Sequence, residues 1–70
     1  MNMTELENKI FSEIEKLPAQ CRRIFKMNRF DGLSNGEIAE KLKLSKRTVE
    51  TQISKALRIL RKNVPEDYFR

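Results

Sequence analysis

The sequence predicts an all-α fold of four short helices. Apolar residues recur every three or four positions along the chain, and no stretch shows the alternation of apolar and polar residues typical of a β-strand. Capping residues, prolines and glycines divide this pattern into four pieces of helical length. A chain of 70 residues buries only about 60% of its unfolded surface. We therefore expect residues 1–70 to form a single domain with a small core and no large catalytic cleft.

The first helix is predicted to lie before Pro18. Thr4 can cap its start, and Glu7 can complete a capping box three residues later. Its apolar face consists of Leu6, Ile10, Ile14 and Leu17. Proline is tolerated in the first turn of a helix and not in its interior, so we expect Pro18 to start a second helix.

The second helix is predicted to end near Phe30, where Asp31-Gly32 gives a turn signal. The residues that it is expected to place in the core are Cys21, Ile24 and Phe25.

Two further helix starts lie close together in the second half of the chain. Ser34 is a preferred N-cap residue, and Glu37 completes a capping box. Ser45 repeats this signal, with Thr48 in the place of the glutamate. The pairs that can pack across these helix starts as hydrophobic staples are Leu33 with Ile38 and Leu44 with Val49.

The spacing of these signals predicts a helix-turn-helix over about residues 34–62. The third helix is expected to end near Leu42, which leaves a turn of about three residues before the fourth helix. Ala39 suits such a motif, because two helices that cross closely leave little room for a larger side chain.

The fourth helix is predicted to have two different faces. Its buried stripe consists of Val49, Ile53, Ala56, Leu57 and Leu60. At about 100° per residue, the opposite face presents Arg47, Thr51, Ser54, Lys55 and Arg58, with Glu50 and Gln52 on the flanks. Short polar side chains allow close approach to base edges, and basic side chains can pair with phosphates or with guanine O6 and N7. Free N–H groups at the helix start, over Ser45 to Thr48, would favour a phosphate.

Positive charge is concentrated in the second half of the chain. The net charge is +5 overall, −2 over residues 1–21, +8 over residues 22–62 and +7 over residues 41–62. This distribution predicts one face for a polyanion and another face for a different partner. Together with the helix-turn-helix it predicts a DNA-binding protein.

Several other classes of protein are not expected. The chain has no histidine and one cysteine, Cys21, so we expect no internal disulfide, no metal site, no cofactor and no enzyme activity. Cys21 is predicted to be a small, reduced core residue. No apolar run approaches the roughly 20 residues that span a bilayer, and the N-terminal residues do not resemble a signal peptide. We therefore expect a cytoplasmic protein without membrane insertion.

With these features the chain resembles region 4 of bacterial sigma factors, especially the small extracytoplasmic-function (ECF) group. The similarity runs from about Leu6 to Lys62. The motifs that carry it are Leu17-Pro18 followed by Arg22 and Phe25, then Phe30-x-Gly32-Leu33-Ser34-x-x-Glu37-Ile38-Ala39, then Leu44-Ser45-x-x-Thr48-Val49-x-x-x-Ile53-x-x-Ala56-Leu57-x-x-Leu60-Arg61. The resemblance implies a four-helix domain whose three-helical core is of the homeodomain-like or winged-helix-like class.

The resemblance also implies a function and partners. Region 4 reads the minus-35 element of double-stranded promoter DNA in the major groove and binds the β flap of RNA polymerase. The flap surface is expected on the first two helices and the end of the fourth, which fits the acidic first part of the chain. An anti-sigma factor is a further expected partner. The family's region 2 is absent, so we expect these 70 residues not to initiate transcription alone.

By motif position the resemblance implies a set of DNA-contacting residues. The base-reading set is Glu50, Thr51, Ser54 and Lys55. Phosphate contacts are implied for Arg47, Thr48 and Gln52 and, at the start of the third helix, for Ser34 and Asn35. We also expect phosphate contacts from Lys43, Lys46 and Arg58.

Two residues depart from the usual pattern of the family. Lys43 stands in the turn where glycine is common, and a positive φ there would cost on the order of 1 kcal/mol. Glu50 stands where many members carry a basic residue; its carboxylate could accept from cytosine N4, which would change the preferred sequence.

Two alternatives remain open from the sequence. The LuxR-type output domain of response regulators shares the helix-turn-helix core, although its first helix usually begins with a threonine-glutamate-arginine motif where this chain has Leu17-Pro18 and Arg22. The second alternative is a module that acts mainly by binding other proteins. Its candidate apolar anchors are Tyr68 and Phe69, which follow Pro65.

Overall fold

The computed structural model describes residues 5–64, and this part of the chain contains four helices and no strand. The helices are α1 (Glu5–Glu15), α2 (Ala19–Arg29), α3 (Asn35–Leu42) and α4 (Lys46–Arg61). The predicted all-α fold is therefore confirmed. Thr4, Tyr68 and Phe69 lie outside the described residues, so the predicted cap of α1 and the predicted apolar anchors stay predictions.

The boundaries of α2 follow from proline and glycine. Pro18 is the N-cap residue, with φ −54° and ψ 148°, so it lies just before the first turn. Phe30 ends the helix, and its N–H donates to the Lys26 carbonyl at 2.8 Å. Gly32 then has a positive φ of 71°, which lets the chain turn towards α3 at little steric cost.

Both predicted caps of the helix-turn-helix are present. The Glu37 N–H donates to Ser34 Oγ at 3.1 Å, and the Ser34 N–H donates to Glu37 Oε1 at 2.8 Å, which forms the capping box of α3. The Thr48 N–H donates to Ser45 Oγ at 3.0 Å and caps α4. Each helix start is thus stabilised by its own local sequence.

The turn between α3 and α4 consists of Lys43, Leu44 and Ser45, as predicted. Lys43 has φ 57° and ψ 45°, the left-handed conformation in which glycine is favoured. The Leu44 N–H donates to the Ala39 carbonyl at 2.8 Å, and the Lys43 N–H donates to the Glu40 carbonyl at 3.4 Å. This pair of hydrogen bonds is a Schellman motif, and it fixes the angle at which α4 leaves the turn.

The core contains two apolar clusters that share α4. The first joins α1, the start of α2 and the second half of α4 through Ile10, Ile14, Leu17, Cys21, Phe25, Ala56, Leu60 and Val64. The second joins α2, α3 and the first half of α4 through Ile24, Met27, Ile38, Ala39 and Val49. The predicted staple residues Leu33 and Leu44 pack against the second cluster while remaining partly exposed.

The predicted core agrees with this arrangement except along the edge of α4, and the side chain of Leu6 lies outside the described part of the structure. Val49, Ala56 and Leu60 are fully buried, whereas Ile53 and Leu57 are only half-buried. Ala39 is 7% exposed and lies in the cluster that joins α3 to α4, in agreement with the expected close packing. The Cys21 thiol is buried and donates to the Gln52 carbonyl at 3.3 Å, which links α2 to the middle of α4.

Candidate nucleic-acid interface

The outer face of α4 forms an open depression of about 590 Å³. It is lined by Arg47, Glu50, Thr51, Ser54, Lys55 and Arg58. The four residues predicted to read bases are therefore neighbours on one surface, together with two of the residues predicted to contact phosphate. Thr51 and Ser54 are exposed and have short side chains, so they form the floor of the depression.

The start of α4 offers backbone donors beside this depression. Ser45 caps Thr48, and the N–H groups of Lys46 and Arg47 have no hydrogen-bond partner within residues 5–64. The first turn contains no acidic residue, so the positive end of the helix dipole is not neutralised locally. The arrangement suits a phosphate oxygen.

The other predicted phosphate contacts are placed around the helix-turn-helix. Lys43 is exposed in the turn, and Lys46 is exposed at the first position of α4. Thr48 and Gln52 are half-buried; the Thr48 hydroxyl is hydrogen-bonded to Ser45 Oγ at 2.8 Å. These side chains lie at the margin of the depression or in the turn before it.

Ser34 and Asn35 are separate from the depression, at the start of α3. The Ser34 N–H donates to the Glu37 carboxylate and the Ser34 hydroxyl oxygen accepts from the Glu37 N–H, so both groups of Ser34 already take part in the capping box. The half-buried Asn35 is the residue here whose side chain has no hydrogen bond within residues 5–64.

Basic side chains on this face are not paired with acidic groups in the part of the chain that the structure describes. Lys43, Lys46, Arg47, Lys55 and Arg58 form no ion pair with any group in residues 5–64. By contrast, Lys9 and Lys16 flank Glu13 at the end of α1, and Lys26 of α2 pairs with Glu15. The helix-turn-helix therefore presents free positive charge, as a surface for a polyanion requires.

A comparison with models of protein families identifies the family of this chain. The sequence model described as Sigma-70, region 4 matches residues 7–60, which include α2, the capped turn and nearly all of α4. The chain belongs to the sigma-70 region 4 family. The match includes Leu17, Pro18 and Arg22, the segment in which the chain differs from LuxR-type domains. Searches of curated proteins and of solved structures gave no significant match.

Membership establishes the general role of this region 4 domain. Domains of this family bind promoter DNA in transcription initiation by sigma factors, interact with RNA polymerase and are not enzymes. Among the described residues, no group of three His, Cys, Asp or Glu side chains could hold a metal ion. No helix in the described part of the region 4 domain is long and apolar enough to cross a membrane.

Cys21 of the region 4 domain is a buried residue of the core. Burial raises the pKa of its thiol, and the positive charge of Lys55 opposes part of this rise. The thiol therefore stays protonated at neutral pH.

Lys55 is half-buried, which distinguishes it from its exposed neighbours in the depression. Lys55 therefore lies at the edge of this face, on the side of Cys21 in α2.

A second surface of the region 4 domain was not found from the sequence. Phe11 of α1 and Phe30 at the end of α2 are 41% and 44% exposed, and their ring centroids are 5.6 Å apart with an interplanar angle of 43°. Phe11 lies outside the apolar stripe of α1, and this position in the sequence could have predicted that its ring is exposed. Its pairing with Phe30 depends on how α1 crosses α2.

Proposed function

We propose that this region 4 domain reads the minus-35 element of promoters through the outer face of α4, as part of an ECF-type sigma factor. The observation that carries the proposal is the depression on α4, where small polar side chains are surrounded by basic residues that form no ion pair within residues 5–64. A major groove of B-DNA is wide enough to admit an α-helix and presents a distinct pattern of donors and acceptors for each base pair.

The proposed roles follow from side-chain length and position. Thr51 and Ser54 are short, so the helix axis can approach the base edges closely at these positions. Lys55 reaches from the margin and can donate to guanine O6 and N7. Glu50 lies in the same depression and can only accept hydrogen bonds while it is ionised.

Phosphate contacts would hold this helix in register. Lys46, Arg47 and the free N–H groups of the first turn of α4 are grouped at one end of the face, and Arg58 lies about three turns further along. Lys43 projects from the turn, and Ser34 and Asn35 offer contacts from the start of α3. Such contacts fix orientation on the duplex without reading its sequence.

The side of the domain formed by α1, α2 and the end of α4 is proposed to contact the β flap of RNA polymerase. The acidic first part of the chain lies on α1, and the exposed Phe11 and Phe30 rings give this side an apolar centre. Aromatic residues are enriched where proteins meet. An anti-sigma factor that covered the same side would compete with polymerase.

The experiment that tests the proposal is selection of random duplexes by the purified chain, first at low salt and then at physiological salt. We expect one short enriched half-site, because one recognition helix reads a few consecutive base pairs. Lys55→Ala should weaken binding more than Lys9→Ala, a control that removes the same charge from α1. Absence of duplex binding at low salt would contradict the proposal.

The second candidate function is binding to a protein partner alone, and the exposed Phe11–Phe30 pair favours it. Salt distinguishes the two. Each neutralised phosphate lowers log K by about 0.9 per unit of log salt, whereas an apolar contact responds weakly. A Phe11→Ala variant that loses polymerase binding and keeps DNA binding would show that the two surfaces act independently.

A further inference from the structure

Glu50 is the one acidic residue of α4, a helix that carries five basic residues. It is exposed and lies in the depression beside Arg47, Lys55 and Arg58. Lys46 and Arg47 are one helical turn away, at the spacing where ion pairs form on a helix surface. Even so, the Glu50 carboxylate has no ion pair or hydrogen bond within residues 5–64. It is therefore available to an outside donor.

A free carboxylate is an unusual group on a surface that approaches DNA. Phosphates repel it, and so do the acceptors of the major groove, which are guanine N7 and O6, adenine N7 and thymine O4. The groove has two kinds of donor, cytosine N4–H and adenine N6–H. The adenine donor lies beside N7, which would repel the second carboxylate oxygen, whereas cytosine N4 has a C–H group as its neighbour. Cytosine is thus the base that the carboxylate favours.

We propose that Glu50 is a specificity-determining residue that requires a cytosine at one position of the DNA site. This inference rests on the proposed function, since it assumes that α4 enters the major groove. The small side chains of Thr51 and Ser54, one and four residues further along α4, leave space for the carboxylate to reach the base edge. Opposite guanine or thymine the carboxylate loses its water without gaining a partner, and opposite adenine the N6–H donor is offset by repulsion from N7.

The first test compares the duplexes selected by the wild-type chain with those selected by Glu50→Ala and Glu50→Gln. The wild-type chain should enrich cytosine at one position, and Glu50→Ala should lose the preference there and keep it elsewhere. Glu50→Gln should change the preference to adenine, because an amide can pair with adenine N6 and N7 together. Glu40→Ala is the matched control: it removes an exposed acid from α3, outside the depression, and should leave every preference unchanged.

The second test replaces the selected cytosine with N4-methylcytosine. The methyl group takes the place of the major-groove hydrogen of N4 while the base still pairs with guanine. Wild-type affinity should fall about 5- to 100-fold, as for a mismatched base pair, and the affinity of Glu50→Ala should change little.

The outcomes separate this inference from the proposed function. If wild-type and Glu50→Ala select the same bases, or if both bind every duplex equally in a salt-sensitive way, the cytosine role is refuted while DNA binding stands. If the chain binds no duplex at low salt, the proposed function fails and the cytosine role fails with it.

Discussion

Lys43 combines backbone strain with a proposed phosphate contact, and substitution can separate the two. Its φ of 57° places a side chain in the left-handed region, which costs an L-residue about 1 to 2 kcal/mol. Both hydrogen bonds of the turn are made by backbone atoms, so glycine keeps them. Glycine loses about 0.5 to 1 kcal/mol more backbone entropy on folding. We therefore expect Lys43→Gly to raise the free energy of unfolding by about 0.5 to 1 kcal/mol.

The assay is thermal and denaturant unfolding of the wild-type chain, Lys43→Gly and Lys43→Ala. A gain of this size should raise the Tm of Lys43→Gly by about 2 to 8 °C for a domain of this length. Lys43→Ala is the matched control, because it removes the same charge and keeps the strain. Both variants should bind DNA more weakly and lower the salt slope by about 1. If Lys43→Gly is no more stable than Lys43→Ala, the argument from strain is refuted.

The remaining predictions concern DNA affinity, helix stability and pH. Lys55→Ala should weaken binding to the selected duplex by about 1 to 3 kcal/mol, measured by titration. An equal loss of affinity for a scrambled duplex would show that Lys55 contacts phosphate and reads no base. Gly36→Ala should raise the free energy of unfolding by about 0.5 to 1 kcal/mol, since a Cβ there meets only Ser34 Oγ at 3.9 Å; a fall in Tm would contradict this. The hydrogen bond from the Ser34 N–H, together with that of its hydroxyl, holds the pKa of Glu37 below its ordinary value of 4.5. A lowered pKa gives stability that is present above this value and is lost as pH falls through the folded-state pKa. Glu37→Gln should therefore make denaturant unfolding less sensitive to pH between 3 and 7, and an unchanged pH profile would oppose this assignment.

The parts of the fold that could be predicted from the sequence are those with local causes. Ser34 and Ser45 set the helix starts through hydrogen bonds that span three residues, and Pro18 and Gly32 set the limits of α2 through their own backbone preferences. A positive φ at Lys43 was raised as a possibility because glycine is common at this position in the family, and the structure has φ 57° there. These features need no knowledge of tertiary packing.

The features that were missed depend on how helices cross. The periodicity of α4 did not distinguish the buried Val49 from the half-buried Ile53, because the edge of a helix is buried only if a neighbour covers it. The half-burial of Lys55 and the pairing of Phe11 with Phe30 have the same origin. In the interface, the predicted base-reading residues share one depression, whereas Ser34 and Asn35 lie apart on α3.

The two clusters explain how a small domain can hold a recognition helix in a fixed position. The cluster around Ile38 orients the first half of α4, and the cluster around Leu60 holds its second half against α1. The base-reading residues proposed here, at positions 50–55, lie over the region where the two clusters meet, and the hydrogen bond from Cys21 to Gln52 ties α2 to the same point. A partner that tilted α1 would act on one end of α4 only, because the capped turn holds the other end. Any coupling between the Phe11–Phe30 surface and DNA affinity should therefore depend on the first cluster, and weakening that cluster should reduce the coupling before it reduces DNA binding.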